Sequence, residues 1–416
     1  MDKYVINGGN KLSGKIRIES AKNSVLPIIA GSILTNQQVV IKNCPKIKDV
    51  YAMLEILSYL GGKWTFEQGD LILNNASLNR YDIPKELASP VRSSVFMLGA
   101  LLCRFKKAKI HQPGGCNIGK RPIDLHILAL EDLGVKTECL GEQIICSAKE
   151  IKTNNIYLNY PSVGTTENII LCSVLSKGKT QIFNAAKEPE IVDLMKFLNS
   201  MGAKIYGAGT STILIDGVEN LSGTEFTPMF DRIECGTFML ATAITGGEIE
   251  LSNCNAKNIS LLTNKLCNNT CKITINNDII YIKSGGKPKG FSFATNPYPQ
   301  FPTDLQAQTM SLLCVSEGVS TITENVFENR FNHVNELVKM GADISVKGKT
   351  AIVKGVKRLN GKTVTATDLR GGASLVLAGL NAEGQTTVEN VYYIERGYSD
   401  FDKKLRSLGA DIIKQG

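Results

Sequence analysis

The stretch ENRFNHVNELVKMGADISV, residues 328–346, contains a helix, its stop signal and a strand in one run. Phe331, Val334, Leu337, Val338 and Met340 recur at helical spacing. Gly341 then stands where a helix end calls for a left-handed residue, a conformation glycine adopts without steric cost. Beyond it the period shortens to that of a strand, with apolar residues at Ile344 and Val346. The same order recurs as YLGGKWTF (59–66), DLGVKTEC (132–139), SMGAKIYG (200–207), NNTCKITI (268–275), KMGADISV (339–346) and SLGADIIK (407–414). The glycine position falls at 61, 134, 202, 270, 341 and 409, and the fourth copy is degenerate, with Thr270-Cys271 in place of Gly-Ala. Such a period marks a chain built from internal repeats.

Short strands ending in asparagine, VVIKNCP (39–45), TQIFNAA (180–186) and TTVENVY (386–392), precede several copies. Each unit is therefore strand, loop, helix, glycine cap and strand, with a further helix and strands in the remainder. Six such units are too many for one core, so the expectation is an α/β protein of two domains with three repeats each. The seam falls near TEFTPMFDRIEC (224–235), where Pro228 interrupts the pattern. The strand preceding the first copy is expected to pair with the last repeat, sending the chain across twice. A cleft between two similar domains is a common place for a ligand.

Composition narrows the function. At 416 residues, 43% hydrophobic and 21% charged, with mean hydropathy near zero, this is an ordinary globular composition. No stretch offers the roughly 18 apolar residues that span a bilayer, and the opening MDKYVINGGNKLSGKIRIES has no uninterrupted apolar segment, so a cytoplasmic protein without a membrane partner is expected. Eleven cysteines lie scattered through segments such as ILCSVL (170–175) and SLLCVS (311–316) and read as reduced core residues. With three histidines, and with Cys267 and Cys271 lacking a second pair, no metal site is expected. The net charge of +8 is spread along the chain, with no basic run or aromatic interleaving to suggest nucleic acid.

Only 11 of the 47 basic residues are arginine, which makes each a candidate for the bidentate grip on a carboxylate or phosphate that lysine makes poorly. Arg17, Arg80, Arg104, Arg358 and Arg406 read as ordinary surface residues. The others, Arg232 apart, fall among stretches that are polar or glycine-rich where the repeat does not require it: SAKNSVLPI (20–28), PVRSSVF (90–96), QPGGCNIGKRPIDLH (112–126), YPQFPTDLQAQ (298–308), ENRFNHV (328–334), ATDLRGG (366–372) and IERGY (394–398). These supply Lys22, Arg92, Lys120, Arg121, Arg330, Arg370 and Arg396 as cations, Asp304 and Asp368 as carboxylates, and Cys116 as an ionisable thiol. That inventory suits a polyanionic substrate with one proton donor and one acceptor. Cys116 lies in a glycine-rich loop where Lys120 and Arg121 favour the thiolate. Asp304 follows a proline-flanked turn, where helix capping is the plain alternative to a base. Lys22 and Asn23 open an apolar helix whose N-terminus attracts phosphate, against the alternative of a solvated lysine. For Asp231, Arg232 and Glu234 a helix start is sufficient explanation.

Taken in order, GGNKLSGKIRIESAKNSVLP, PGGCNIGKRPIDLHI, EPEIVD, DRIECGTF, YPQFPTDLQAQ, ENVFENRF, ATDLRGGASLVLAG and ERGYSDFDKKLRSLGA resemble the UDP-N-acetylglucosamine 1-carboxyvinyltransferase family over essentially the whole length. The resemblance implies the enolpyruvyl transferase fold, two inside-out α/β barrels of three repeats each. Residues 22–229 would form one domain, carrying the Cys116 loop, and 1–21 with 230–416 the other, with the active site in the cleft between them. It implies transfer of the enolpyruvyl group of phosphoenolpyruvate to the 3-hydroxyl of UDP-N-acetylglucosamine through a tetrahedral intermediate, with release of phosphate, without metal or organic cofactor, by a monomer. Cys116 corresponds to the family's proton donor, Asp304 to the group taking the sugar hydroxyl proton, and Lys22 to a further catalytic cation. Lys22, Asn23, Arg92, Arg121, Arg330, Arg370 and Arg396 correspond to residues around phosphoenolpyruvate and phosphate. Asn23, Arg92, Arg121, Pro122, Ile123, Asp124, Leu125, Ser162, Val163, Gly164, Asp304 and Val326 correspond to contacts of the sugar nucleotide.

The loop departs from the familiar pattern at Asn117 and Lys120, and Tyr160-Pro161 stands where some members carry a lysine near the uracil. Gly371 and Gly372 replace alanine-serine and are expected to loosen Arg370. The rivals are the sister enzyme acting on shikimate 3-phosphate, a silent paralogue that binds the sugar nucleotide, and an RNA-binding protein of related barrel units. The loop cysteine and RPIDLH argue against the first, the filled reactive positions against the second, and the dispersed charge against the third.

Overall fold

The computed structural model of the chain describes residues 2–114, 118–119 and 123–416. They group into two compact units, one of residues 20–229 and one of residues 2–19 with 230–416; Ile118 and Gly119 belong to the latter. Among the described residues there are six four-stranded sheets, three in each unit, all with the same pattern of one parallel and two antiparallel pairings. In the second repeat the strands are Asp82–Ile83, Lys107–His111, Lys136–Leu140 and Gln143–Ser147. The first pairs in parallel with the second, the second antiparallel with the fourth, and the third lies outside the fourth. The parallel pair is joined through a helix, as a parallel crossover requires, and the last two strands form a hairpin.

The repeats close on themselves by borrowing strands. In the unit of residues 20–229, Thr224–Phe226 returns to pair in parallel with Val39–Ile41 and completes the first sheet. In the other unit, Lys3–Asn7 lies between Gln385–Glu389 and Asp411–Gln415, and Ser13–Arg17 pairs in parallel with Glu248–Ser252. The strand that precedes the first copy therefore belongs to the last sheet.

The glycine caps explain the repeat. Gly61, Gly134, Gly202, Gly341 and Gly409 have φ of 103°, 80°, 103°, 93° and 93°. A side chain is strained there, which is why the position is constant. In the degenerate copy Thr270 ends its helix at φ −162°, in extended backbone open to any residue. The strand after each glycine is the edge strand of its sheet. Its apolar residues therefore contribute less to the core than their alternation suggests: Ile344 is only partly buried and Val346 is 44% exposed. The recurring asparagines take the left-handed region at Asn43, Asn184, Asn253 and Asn390, turning the chain out of a strand toward an outer helix.

Each unit contains three inner helices: Lys22–Ser32, Phe96–Phe105 and Val163–Ser173 in one, Arg232–Thr245, Gln306–Cys314 and Leu369–Asn381 in the other. They are buried on nearly every side, as helices apolar all round must be. Outer helices such as Lys48–Tyr59 bury one stripe, there Val50, Met53, Leu54, Ile56 and Leu57. Arg104, expected to be an idle surface residue, instead donates to the carbonyls of Ile33, Thr35 and Asn75 and to Asn36 Oδ1, satisfying helix-end and loop carbonyls from the end of the Phe96–Phe105 helix. No helix among the described residues is long and apolar enough to cross a membrane.

Candidate active site

Many of the candidate residues share a structural address. An inner helix starts with several N–H groups that no carbonyl of its own can satisfy and with the positive end of its dipole, so polar residues placed there face a field suited to anions. In the unit of residues 20–229, Lys22 and Asn23 form the first turn of Lys22–Ser32, Arg92 opens the 3₁₀ turn Arg92–Val95 that runs into Phe96–Phe105, and Ser162 caps Val163–Ser173. In the other unit Asp231 and Asp368 cap Arg232–Thr245 and Leu369–Asn381, and Asp304 sits in the 3₁₀ turn Thr303–Leu305 leading into Gln306–Cys314.

Lys22 is not solvated. Its side chain is 13% exposed, and its ammonium lies 2.9 Å from the buried carboxylate of Asp49. In the sequence Asp49 reads as a routine acidic residue in the first turn of Lys48–Tyr59. Arg92 Nη1 donates to the carbonyl of Pro113 at 3.4 Å. Ser162 Oγ accepts from the backbone and the hydroxyl of Thr165, a standard cap. Asp124 is exposed at the start of Asp124–Asp132, its Oδ1 accepting from Leu125 N at 2.9 Å, while Ile123 is buried. Cys116, Asn117, Lys120, Arg121 and Pro122 lie outside the described residues.

The other unit holds the denser cluster. Asp304 Oδ1 accepts from Arg330 Nη2 at 2.9 Å, and Oδ2 from Arg370 Nη2 at 2.9 Å. Both arginine side chains are 3% exposed, against 27% for Asp304. Each of its two oxygens faces one of the two guanidiniums, an arrangement that a helix cap by itself does not require. Arg330 also reaches the carbonyl of Thr303, stands over the Phe327 ring and lies 3.8 Å from Asp368. Arg370 stands over Tyr398, whose hydroxyl accepts from Gln308 and bonds with Thr237. Burial opposes the charge on Arg370, but Asp304, with Tyr398 and Asp231, more than offsets it, so its pKa is raised. Arg396 is buried directly after the short helix Tyr392–Glu395. Val326 donates its N–H to Glu324 Oε1 at 2.9 Å.

Asp368 fixes this cluster from below, accepting from Arg370 N and Gly371 N at 3.0 and 3.1 Å. A Cβ at Gly371 would lie 2.6 Å from Asp368 Oδ2 and 3.0 Å from His333 Cβ; one at Gly372 would lie 2.7 Å from Ile394 Cγ1. These glycines therefore do not loosen Arg370 as expected. They are helical and buried, and they let the aspartate, His333 and Ile394 approach the backbone. His333 is fully buried, which together with Arg330 outweighs Asp368 and pushes its pKa down to about 4, leaving a neutral imidazole near neutral pH. Lys404, bonded to Glu19 and Glu234 at 2.9 and 2.6 Å, ties the N-terminal stretch to the start of Arg232–Thr245. Among the described residues no group of three or more His, Cys, Asp or Glu is arranged to hold a metal. Two buried guanidiniums sharing one carboxylate form a site that can exchange that carboxylate for another anion, such as a phosphate or a second carboxylate.

A family model described as EPSP synthase (3-phosphoshikimate 1-carboxyvinyltransferase) matches residues 6–405. UDP-N-acetylglucosamine 1-carboxyvinyltransferase 2 of Caldanaerobacter subterraneus subsp. tengcongensis is 48% identical over 415 residues, covering 100% of each chain. Among solved structures, the enolpyruvyl transferase NikO from Streptomyces tendae superposes with a TM-score of 0.89 at 24% identity, covering 100% of this chain and 99% of that one. EPSP synthase from Acinetobacter baumannii gives 0.74 at 18% identity, with 100% of both chains covered. The two structures share the fold, whereas the identity runs to the enzyme named for the sugar nucleotide.

Proposed function

Because the chain belongs to the UDP-N-acetylglucosamine 1-carboxyvinyltransferase family, we propose that it transfers the enolpyruvyl group of phosphoenolpyruvate to the 3-hydroxyl of UDP-N-acetylglucosamine, releasing phosphate, as the first step of peptidoglycan precursor synthesis. The observation that carries the chemistry is Asp304, held between Arg330 and Arg370 at the start of an inner helix. An incoming phosphoenolpyruvate competes with Asp304 for these guanidiniums. When phosphate and carboxylate oxygens take their place, a carboxylate oxygen of Asp304 becomes available to accept the sugar hydroxyl proton as that oxygen attacks the substrate's central carbon. Arg396, Lys22 and Arg92 are the further cations of the reading, with Arg121. Cys116 delivers the proton to the methylene carbon, giving the tetrahedral intermediate; loss of a proton from the methyl carbon and of phosphate from the central carbon then regenerates the double bond. Asn23, Ile123, Asp124, Leu125, Ser162, Val163, Gly164 and Val326, with Arg121 and Pro122, contact the sugar nucleotide. The reading places the protein in the cytoplasm and needs no second copy of the chain.

The test is phosphate release from phosphoenolpyruvate with UDP-N-acetylglucosamine and, separately, with shikimate 3-phosphate, each before and after alkylation of Cys116. Release that depends on the sugar nucleotide and disappears on alkylation supports the reading. Release with shikimate 3-phosphate alone would transfer the protein to the sister activity, and release with neither, despite nucleotide binding, would make it a silent paralogue.

A further inference from the structure

The side chain of Asn168 is fully enclosed in the unit of residues 20–229, and all its bonds run between elements. Its Oδ1 accepts from Gly99 N at 2.8 Å; its Nδ2 lies 3.0 Å from Val95 O and 2.8 Å from His126 Nδ1. Val95 and Gly99 are an i, i+4 pair at the junction where the Arg92–Val95 turn becomes the Phe96–Phe105 helix. The amide of Asn168 thus offers an acceptor to the N–H and a donor to the carbonyl of that junction. Since a backbone N–H fixes which end of the amide is oxygen, Nδ2 is the donor toward His126, and His126 uses the lone pair of Nδ1 and carries its proton on Nε2.

The other edge of the imidazole lies against the start of Val163–Ser173. A Cβ on Gly164 would be 3.0 Å from His126 Cε1 and 3.3 Å from Nε2, and one on Gly99 would be 2.4 Å from the backbone oxygen of Asn168. Glycines at both places let the two inner helices and the Asp124–Asp132 helix meet at this amide. The three segments so joined begin with Arg92, with Asp124 and Leu125, and with Ser162 and Gly164.

We propose that Asn168 and His126 are positioning residues that set the spacing of the nucleotide-contacting stretches Asp124–Leu125 and Ser162–Gly164 relative to Arg92. This rests on those stretches being the nucleotide contacts. The amide fixes where each stretch begins, and the neutral imidazole transmits its position to the Gly164 backbone. Neither residue needs to touch substrate.

The experiment titrates UDP into full-length protein by calorimetry, with Tm recorded for every variant. His126→Leu removes the acceptor and should weaken UDP binding by about tenfold, whereas His126→Gln, whose Oε1 can accept from Asn168, should stay within about threefold. A merely structural network would lower Tm in His126→Leu and leave UDP affinity of the folded protein unchanged, and that result overturns the proposal. Asp124→Asn is the control for the underlying reading. If Asp124→Asn loses affinity and His126→Leu does not, the positioning role alone has failed; if neither loses affinity, the nucleotide reading has failed and the proposal with it. Should His126→Leu not fold, the side-chain amide signals of Asn168 in wild-type protein decide: they shift with the binding midpoint if the linkage exists, and unmoved signals at saturation overturn it.

Discussion

Reactivity among the eleven cysteines is decided residue by residue. Eight of the ten described ones are buried, and burial pushes the thiols of Cys103 and Cys146 up to about 11 and those of Cys271 and Cys314 up to about 12. Cys139 and Cys267 are exposed and compete with Cys116 for an electrophile. An epoxide phosphonate, which carries an anion toward the arginines, should label Cys116 first; peptide mapping that finds Cys139 or Cys267 modified earlier contradicts its role. Arg396→Lys replaces a planar fork with a point charge. The KM for phosphoenolpyruvate should rise roughly 10- to 100-fold while UDP affinity changes little, and equal losses would remove Arg396 from the phosphoenolpyruvate set. Glu167 shows the opposite case of a charge the fold does not accommodate. It is fully buried, neither oxygen has a hydrogen-bond partner among the described residues, and burial, then Glu190 and Glu188, raise its pKa well above the carboxylate range. A raised folded-state value means that folding takes up a proton, so stability falls as pH rises from about 4.5 toward that value. Glu167→Gln should therefore match wild type near pH 4 and exceed it by roughly 1–3 kcal/mol at pH 8, measured by denaturant unfolding; a difference that does not vary with pH would refute the assignment.

At the scale of elements, what was legible depended on how local the cause is. The glycine caps were readable because a left-handed backbone at one position selects one residue type. Gly202 has φ of 103° and open space where a Cβ would point, so Gly202→Ala should cost about 1–2 kcal/mol through backbone strain alone. Thr270→Gly, at the extended fourth copy, should bring no gain, because there is no left-handed strain to relieve. Thermal unfolding of the two variants checks both, and a stabilised Thr270→Gly would show the degenerate cap to be strained after all. The helix starts were less legible. Apart from the shared TDL of PTDLQ and ATDLR, the stretches SAKNS, PVRSS and YPSVG do not look alike, yet all open inner helices, and the sheet order shows that they occupy equivalent places. For Asp304 the sequence leaves two readings open, since it cannot say whether an aspartate bonds its own helix or an arginine 26 or 66 residues away.

At the scale of the molecule, the N-terminal strand is the closing piece of the last repeat. Tyr4 and Ile6 are essentially inaccessible between strands that begin at Gln385 and Asp411. Ile6→Ala should cost about 2–5 kcal/mol, a large share of a typical folding margin of roughly 5–15 kcal/mol. Hydrogen exchange should show the loss in the 385–389 and 411–415 strands, and exchange confined to residues 3–7 would mean that the strand is an appendage. The sequence by itself determined the six-fold repeat, its caps and breaks and the α/β class, because each follows from periodicity or from the backbone demands of one position. Only the tertiary structure decided that Lys22 faces Asp49, that Arg330 and Arg370 share Asp304, that Gly371 and Gly372 are there for close packing, and that Asn168 joins three segments. Those are contacts between residues far apart in the chain, where chain closure and packing select the partner and local pattern carries no record of it.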